Sequence, residues 1–114
     1  MSSVTSALSD VAASLSPDEL TKKVDEIKAA GNERFLKGDY TQAKALYTDA
    51  LSLNPNIVAI YSNRAICELK LEQYGLAIAD ATKAIELDAT FAKAYYRRAC
   101  AHLSLIHISE PTRL

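Results

Sequence analysis

Tyr40-Thr-Gln-Ala-Lys-Ala-Leu-Tyr-Thr-Asp-Ala-Leu-Ser-Leu-Asn-Pro55 returns, 34 residues later, as Tyr74-Gly-Leu-Ala-Ile-Ala-Asp-Ala-Thr-Lys-Ala-Ile-Glu-Leu-Asp-Ala89. The offset pairs Tyr40 with Tyr74, Ala43 with Ala77, Ala50 with Ala84 and Leu53 with Leu87. The apolar positions within each copy keep helical spacing, so each copy reads as one helix. The same offset pairs Tyr61 with Tyr95, Arg64 with Arg98 and Ala65 with Ala99, which places a second kind of helix between the copies and opens a third unit near Ala92. A helix-turn-helix unit therefore repeats.

Local signals set the helix ends. Ser16-Pro17-Asp18-Glu19 has a capping-box layout: serine as N-cap, proline where no N–H is needed, and glutamate three residues on. It predicts a helix from Pro17 to about Lys37. Gly38 stops that helix in a left-handed conformation, and Asp39 with Gln42 starts the next, Tyr40 to about Leu53. Asn54-Pro55 breaks the chain, after which Asn56 is expected to cap a helix through Lys70. A turn at Glu72 and Gln73 leads to a fourth helix ending near Leu87, and Thr90 is expected to cap a fifth. No stretch reads as a strand. Turns this short allow only antiparallel neighbours, so the fold class is all-α.

With 49% hydrophobic and 24% charged residues in 114, the chain has an ordinary globular composition and room for one domain. A net charge of −1 gives no field that would gather nucleic acid or hold the chain on an anionic membrane. No apolar run reaches the roughly 18 residues needed to span a bilayer, and the start lacks a secretory or mitochondrial pattern. The expected setting is the cytoplasm, with the nucleus as a second compartment. Cys67 and Cys100, the only cysteines, are too far apart for a metal or redox pair and read as buried free thiols. Neither His102 nor His107 joins a ligand cluster, so no metal or cofactor is expected.

The period and its small-residue positions resemble the tetratricopeptide-repeat (TPR) family. The resemblance implies antiparallel helix pairs stacked as a superhelix, with repeats at about 24–57, 58–91 and a partial 92–102. It also implies that Gly31, Ala65 and Ala99 on first helices sit beside small residues of second helices, here Ala43 and Ala77. Pro55 occupies the family's closing proline position, whereas Ala89 replaces it one unit later. Residues 1–15, Ser- and Ala-rich, read as a flexible leader to a domain over 16–102.

Leu103-Ser-Leu-Ile-His-Ile-Ser-Glu-Pro-Thr-Arg113 reads as the in-frame translation of a transposase-type sequencing adapter. Residues 103–114 are accordingly expected to be a non-native tail, with the third repeat truncated inside its helix pair. Stacked repeats need about three units and a cap to cover their apolar faces, so marginal stability is expected.

The first helix of each TPR pair lines a concave groove. Lys28 and Asn32 lie four apart there, Asn63 follows on the next such helix, and Lys93 and Arg97, again four apart, on the third. Together these residues resemble the two-carboxylate clamp of co-chaperone TPR domains. That resemblance implies binding of the EEVD-type C-terminus of seventy- and ninety-kilodalton cytosolic heat-shock chaperones. The chemistry suits a terminal aspartate, which offers a side-chain and a main-chain carboxylate. Charge-assisted bonds from lysine and forked arginine hold such groups, and asparagine adds donors without adding charge. Asn32 and Asn63 each lie in a helix interior at about 0.5 kcal/mol less favourable than alanine, a cost that binding would justify. Phe35, Ile66 and Lys70 are weaker nominees for the groove's flank. Tyr40 and Tyr74 read as packing residues. Arg64 and Arg98 point about 100° away from their clamp neighbours and are expected to serve acidic groups or solvent.

The stretch Glu72–Asp88, with Lys93-Ala-Tyr-Tyr-Arg-Arg-Ala99, is similar to the TPR domain of type-5 serine/threonine protein phosphatases. A second reading is therefore the regulatory end of a metal-dependent phosphatase, and a third a TPR scaffold for another partner. Catalysis by this chain itself has no support, because no nucleophile–base pair, phosphate loop or metal spacing is present.

Overall fold

A computed structural model describes residues 13–109. It contains α1 (Pro17–Leu36), α2 (Tyr40–Leu53), α3 (Val58–Lys70), α4 (Tyr74–Leu87) and α5 (Ala92–Ser109). Among the described residues there is no strand. Each helix packs on its successor, and α3 also touches α5, so the chain coils as a stack of antiparallel pairs. Residues 1–12 of the expected leader and 110–114 of the expected tail lie outside the described residues. Leu103–Ser109 prolongs α5, with Leu103, Leu105 and Ile106 exposed.

The capping chemistry explains the first boundaries. Glu19 N–H donates to Ser16 Oγ at 3.2 Å while Ser16 N–H donates to Glu19 Oε1 at 2.9 Å, closing the box at α1. Gly38, at φ +79°, turns the chain, and Asp39 Oδ1 accepts from Gln42 N–H at 3.3 Å to open α2. Glu72 takes the corresponding left-handed place between α3 and α4 at φ 60°.

Two expected caps are corrected. The residue before α3 is Ile57, which offers no side-chain bond, and Asn56 instead gives its N–H to Asn54 Oδ1 at 3.1 Å. Thr90 likewise gives its N–H and hydroxyl to Asp88 Oδ1, at 3.0 and 2.6 Å, and α5 starts only at Ala92. Asn54 and Asp88 are one repeat apart. An Asx-type turn that satisfies the backbone two residues on replaces the cap at both places. Tyr61 and Tyr95 repeat the same logic, each hydroxyl donating at 2.8 Å to a turn carbonyl, of Pro55 and Ala89 respectively.

The core runs between the helix layers through Val24, Tyr47, Leu51, Leu53 and Ile60, with Ala43, Ala50, Ala65, Ala77, Ala81 and Ala84 wholly buried where helices approach closely. Gly31 is buried against an aromatic residue: a Cβ there would lie 2.8 Å from Tyr47 Cε1. Ala99, the matched residue on α5, is exposed, because no further helix packs on that side among the described residues.

A candidate peptide groove

Between α2, α3 and α4 lies a buried ionic cluster. Arg64 forks onto Asp80, with Nε and Nη2 donating to the two carboxylate oxygens at 2.7 Å each, and its Nη1 donates to Thr48 Oγ1 at 3.2 Å. This is the acidic partner expected for Arg64. Burial works against the guanidinium's charge, but the bonds and charge of Asp80 and the charge of Glu68 outweigh it and hold Arg64 above its ordinary range. Glu68, 2% exposed, stands 3.5 Å from Lys44 Nζ and 4.0 Å from Arg64 Nε, while its Oε1 has no hydrogen-bond partner. Burial, then the bond and charge of Asp80, push its carboxyl up to about 8. Cys67 beside it is wholly buried, and burial raises its thiol to about 11, so it is an inert thiol. The cluster ties α2 of the first repeat to α3 and α4 of the second.

The groove is built from α1, α3 and α5. Asn32 on α1 and Asn63 on α3 meet there, with Asn63 Nδ2 donating to Asn32 Oδ1 at 3.5 Å. Tyr47, reaching through from α2, donates its hydroxyl to the same Oδ1. These three side chains, with Phe35, Leu36 and Ile66, enclose a cavity of about 220 Å³. Phe35 and Ile66 also wall a wider, more open hollow of about 520 Å³, shared with Lys70, Tyr74, Tyr96, Arg97 and Cys100. The two spaces adjoin along the groove, with Phe35 and Ile66 as their shared wall. Lys28 and Lys93 line neither; each lies one turn before Asn32 and Arg97 on its own helix, Lys28 half-buried and Lys93 exposed.

Charge distinguishes the groove from the cluster behind it. Among the described residues, Lys28, Lys70, Lys93 and Arg97 have no carboxylate within ion-pair distance, whereas Lys44 and Arg64 do. Arg97 lies 5.7 Å over the Tyr96 ring, with its Nε buried and without a hydrogen-bond partner. Such a site has acceptors missing and donors waiting, which is what a carboxylate supplies. No group of three or more metal-ligating side chains occurs among the described residues.

Some groove residues escaped sequence reasoning. Tyr40 packs as expected, edge-on to Phe35 with centroids 5.3 Å apart. Tyr74, given the same reading, also forms groove wall, and Tyr96 and half-buried Cys100 join it. Cys100 follows Arg97 by three residues, a spacing that puts both on one helical face and was a usable signal. Tyr47 carried none, because its place on a second helix suggests core alone.

Comparisons with known proteins agree with this geometry. Human serine/threonine-protein phosphatase 5 is 42% identical over 88 residues, a match that covers 77% of this chain and 18% of that protein. The chain thus spans under a fifth of the length of that relative. Among solved structures, the TPR2AB domain of yeast Sti1 in complex with an HSP90 peptide superposes with a TM-score of 0.75 at 35% identity, covering 88% of this chain and 36% of that one. The second TPR of Spaghetti (RPAP3), bound to the HSP90 peptide SRMEEVD, gives 0.71 at 33% identity, covering 76% of this chain and 81% of that one. A family model described as the tetratricopeptide repeat matches residues 29–57 and 58–91, the two units that the 34-residue offset and the α1–α4 stack define. With sequence period, helix stack and family model in agreement, the chain belongs to the tetratricopeptide-repeat family.

Proposed function

We propose that this chain binds the acidic C-terminal peptide of seventy- or ninety-kilodalton heat-shock chaperones through Lys28, Asn32, Asn63, Lys93 and Arg97. The meeting of Asn32 and Asn63 at 3.5 Å, on a cavity flanked by unpaired cations, carries the proposal. Asn32, Asn63 and Lys28 hold the main-chain carboxylate of a terminal aspartate; Lys93 and Arg97 hold its side chain or nearby carbonyls. Phe35, Ile66 and Lys70 receive the residues upstream. That structures similar to this one hold HSP90 peptides supports the choice of partner. No helix of the described residues is long and apolar enough to cross a membrane, and a cytoplasmic co-chaperone fits the partner.

Calorimetry with SRMEEVD as free acid and as C-terminal amide tests the proposal. The free acid binds in the micromolar range, about −8 kcal/mol, and the amide markedly more weakly. Equal binding of the two forms removes the clamp.

The similarity to phosphatase 5 favours a more specific reading of the parent. This chain is then the recruiting and regulatory end of a serine/threonine phosphatase, with catalysis elsewhere in the parent. Residues 103–114 belong to neither reading and are adapter-derived. Downstream transcript sequence tests both statements: metal-ligand motifs of the GDxHG and GDxVDRG kind support the phosphatase, and an uninterrupted native Leu103–Arg113 removes the adapter.

A further inference from the structure

We propose that Tyr47 is a positioning residue of the peptide site, orienting Asn32 so that its amide nitrogen, and not its oxygen, faces the incoming carboxylate. This rests on the clamp reading above.

An asparagine amide has two unlike ends. The NH2 attracts a carboxylate and the oxygen repels one, so an asparagine that turns freely presents the wrong end part of the time. In this groove the oxygen end is already engaged. Tyr47 donates its hydroxyl to Asn32 Oδ1 at 2.5 Å, and Asn63 Nδ2 donates to the same atom at 3.5 Å. Among the described residues nothing accepts from Asn32 Nδ2, so both of its hydrogens remain for a ligand. Turning the amide over would set the Asn32 NH2 against the Asn63 NH2, donor against donor.

Tyr47 is suited to this task by where its ring lies. The residue is 2% exposed, yet it lines the smaller cavity and its hydroxyl reaches Asn32 there. The ring is seated against Gly31, where a Cβ would come within 2.8 Å of Cε1 and 3.0 Å of Cδ1. Glycine one residue before Asn32 therefore makes room for the aromatic ring that orients Asn32. Burial raises the phenol to about 12, so the hydroxyl keeps its proton throughout the neutral range and remains a donor. A rigid donor fixed in the core holds a half-buried acceptor, and the ligand-facing end is set before the peptide arrives.

The test compares SRMEEVD as free acid and as C-terminal amide on the full chain and on Tyr47→Phe, Asn32→Ala and the double variant. Tyr47→Phe keeps the ring and removes only the hydroxyl. It is expected to weaken the free acid about five- to tenfold and leave the amide unchanged, so the ratio between them shrinks. In the Asn32→Ala background the same change is expected to add less than about twofold, since there is no amide left to orient. A wild-type ratio in Tyr47→Phe overturns the proposal, as does equal weakening of both peptides or a full additional loss in the Asn32→Ala background. Wild type binding both peptides equally removes the clamp itself, and this inference with it. Side-chain amide NMR of the wild type gives a reading independent of variants: the Asn32 NH2 pair shifts on adding the free acid and stays with the amide, and a pair that does not respond to the free acid overturns the orientation.

Discussion

The first repeat, α1 with α2, and the second, α3 with α4, solve one packing problem in two ways. Gly31 and Tyr47 in the first correspond, at the 34-residue offset, to Ala65 and Ala81 in the second. All four are buried. A large residue on one side requires the smallest on the other, while two alanines share the space evenly. The uneven solution does more than fill space, because it carries a tyrosine hydroxyl through to the groove. At the place of Asn32 the second repeat has Ile66, and no hydroxyl is needed behind it. A third instance extends the contrast. Arg64 and Arg98 are matched, each reaching a matched threonine, Thr48 at 3.2 Å and Thr82 at 3.4 Å, and each lying over its own tyrosine. Only Arg64 has Asp80 to grip, and Tyr61 is 8% exposed where Tyr95 is 42%. The helix next door, and not the residue itself, decides what an arginine is worth.

The largest effect should separate those arginines. Arg64→Ala leaves the Asp80 carboxylate buried without its cation and is expected to cost about 3 to 5 kcal/mol in urea unfolding, against about 0.5 kcal/mol for Arg98→Ala. Equal losses would break the comparison. Next comes Gly31→Ala, whose Cβ would strike the Tyr47 ring. It is expected to cost about 1 to 3 kcal/mol, whereas Gly75→Ala, with nothing within 4 Å, should stabilise α4 by about 0.5 kcal/mol. Thermal melts of the two variants shifting in the same direction would contradict this.

Glu68 supplies a pH dependence. Its carboxyl is raised to about 8 in the folded chain from an ordinary 4.5, so the native state binds the extra proton between those values. Stability from this group is then fully present below about pH 4.5 and is lost as pH rises through about 8, the reverse of a salt-bridged carboxylate. Unfolding free energies of wild type and Glu68→Gln at pH 5.5 and 8.5 measure it, the wild type losing about 3 kcal/mol more than the variant over that range. Parallel profiles would show Glu68 ionised in the native state. A small effect belongs to the turns: Asp88→Ala removes the acceptor for Thr90 N–H and hydroxyl and is expected to lower the melting temperature less than Arg64→Ala or Gly31→Ala.

Much of this was legible because repeats write the same message more than once. The offset located α2 to α5, and Gly38 and the Ser16–Glu19 box bounded α1 by local chemistry that needs no tertiary partner. Asn56 and Thr90 misled for the opposite reason. Both residue types favour caps, but the neighbouring Asn54 and Asp88 side chains captured their backbone groups and shifted each helix start. Asn32, Asn63 and Arg97 were nominated by their resemblance to a carboxylate clamp, and Phe35, Ile66 and Lys70 as its flank; all six line the two hollows of the groove.

The period and the helices were fixed along the chain, because they depend on contacts within a few residues, and the groove-facing side of each first helix followed from the resemblance to stacked repeats. Only the tertiary structure decided that Tyr47 reaches Asn32 from another helix, that Asp80 neutralises Arg64, and that Glu68 is left with a carboxyl oxygen unbonded. Those facts join residues 15 and 16 positions apart, or place a residue at a depth that sets its charge, and no local pattern carries either.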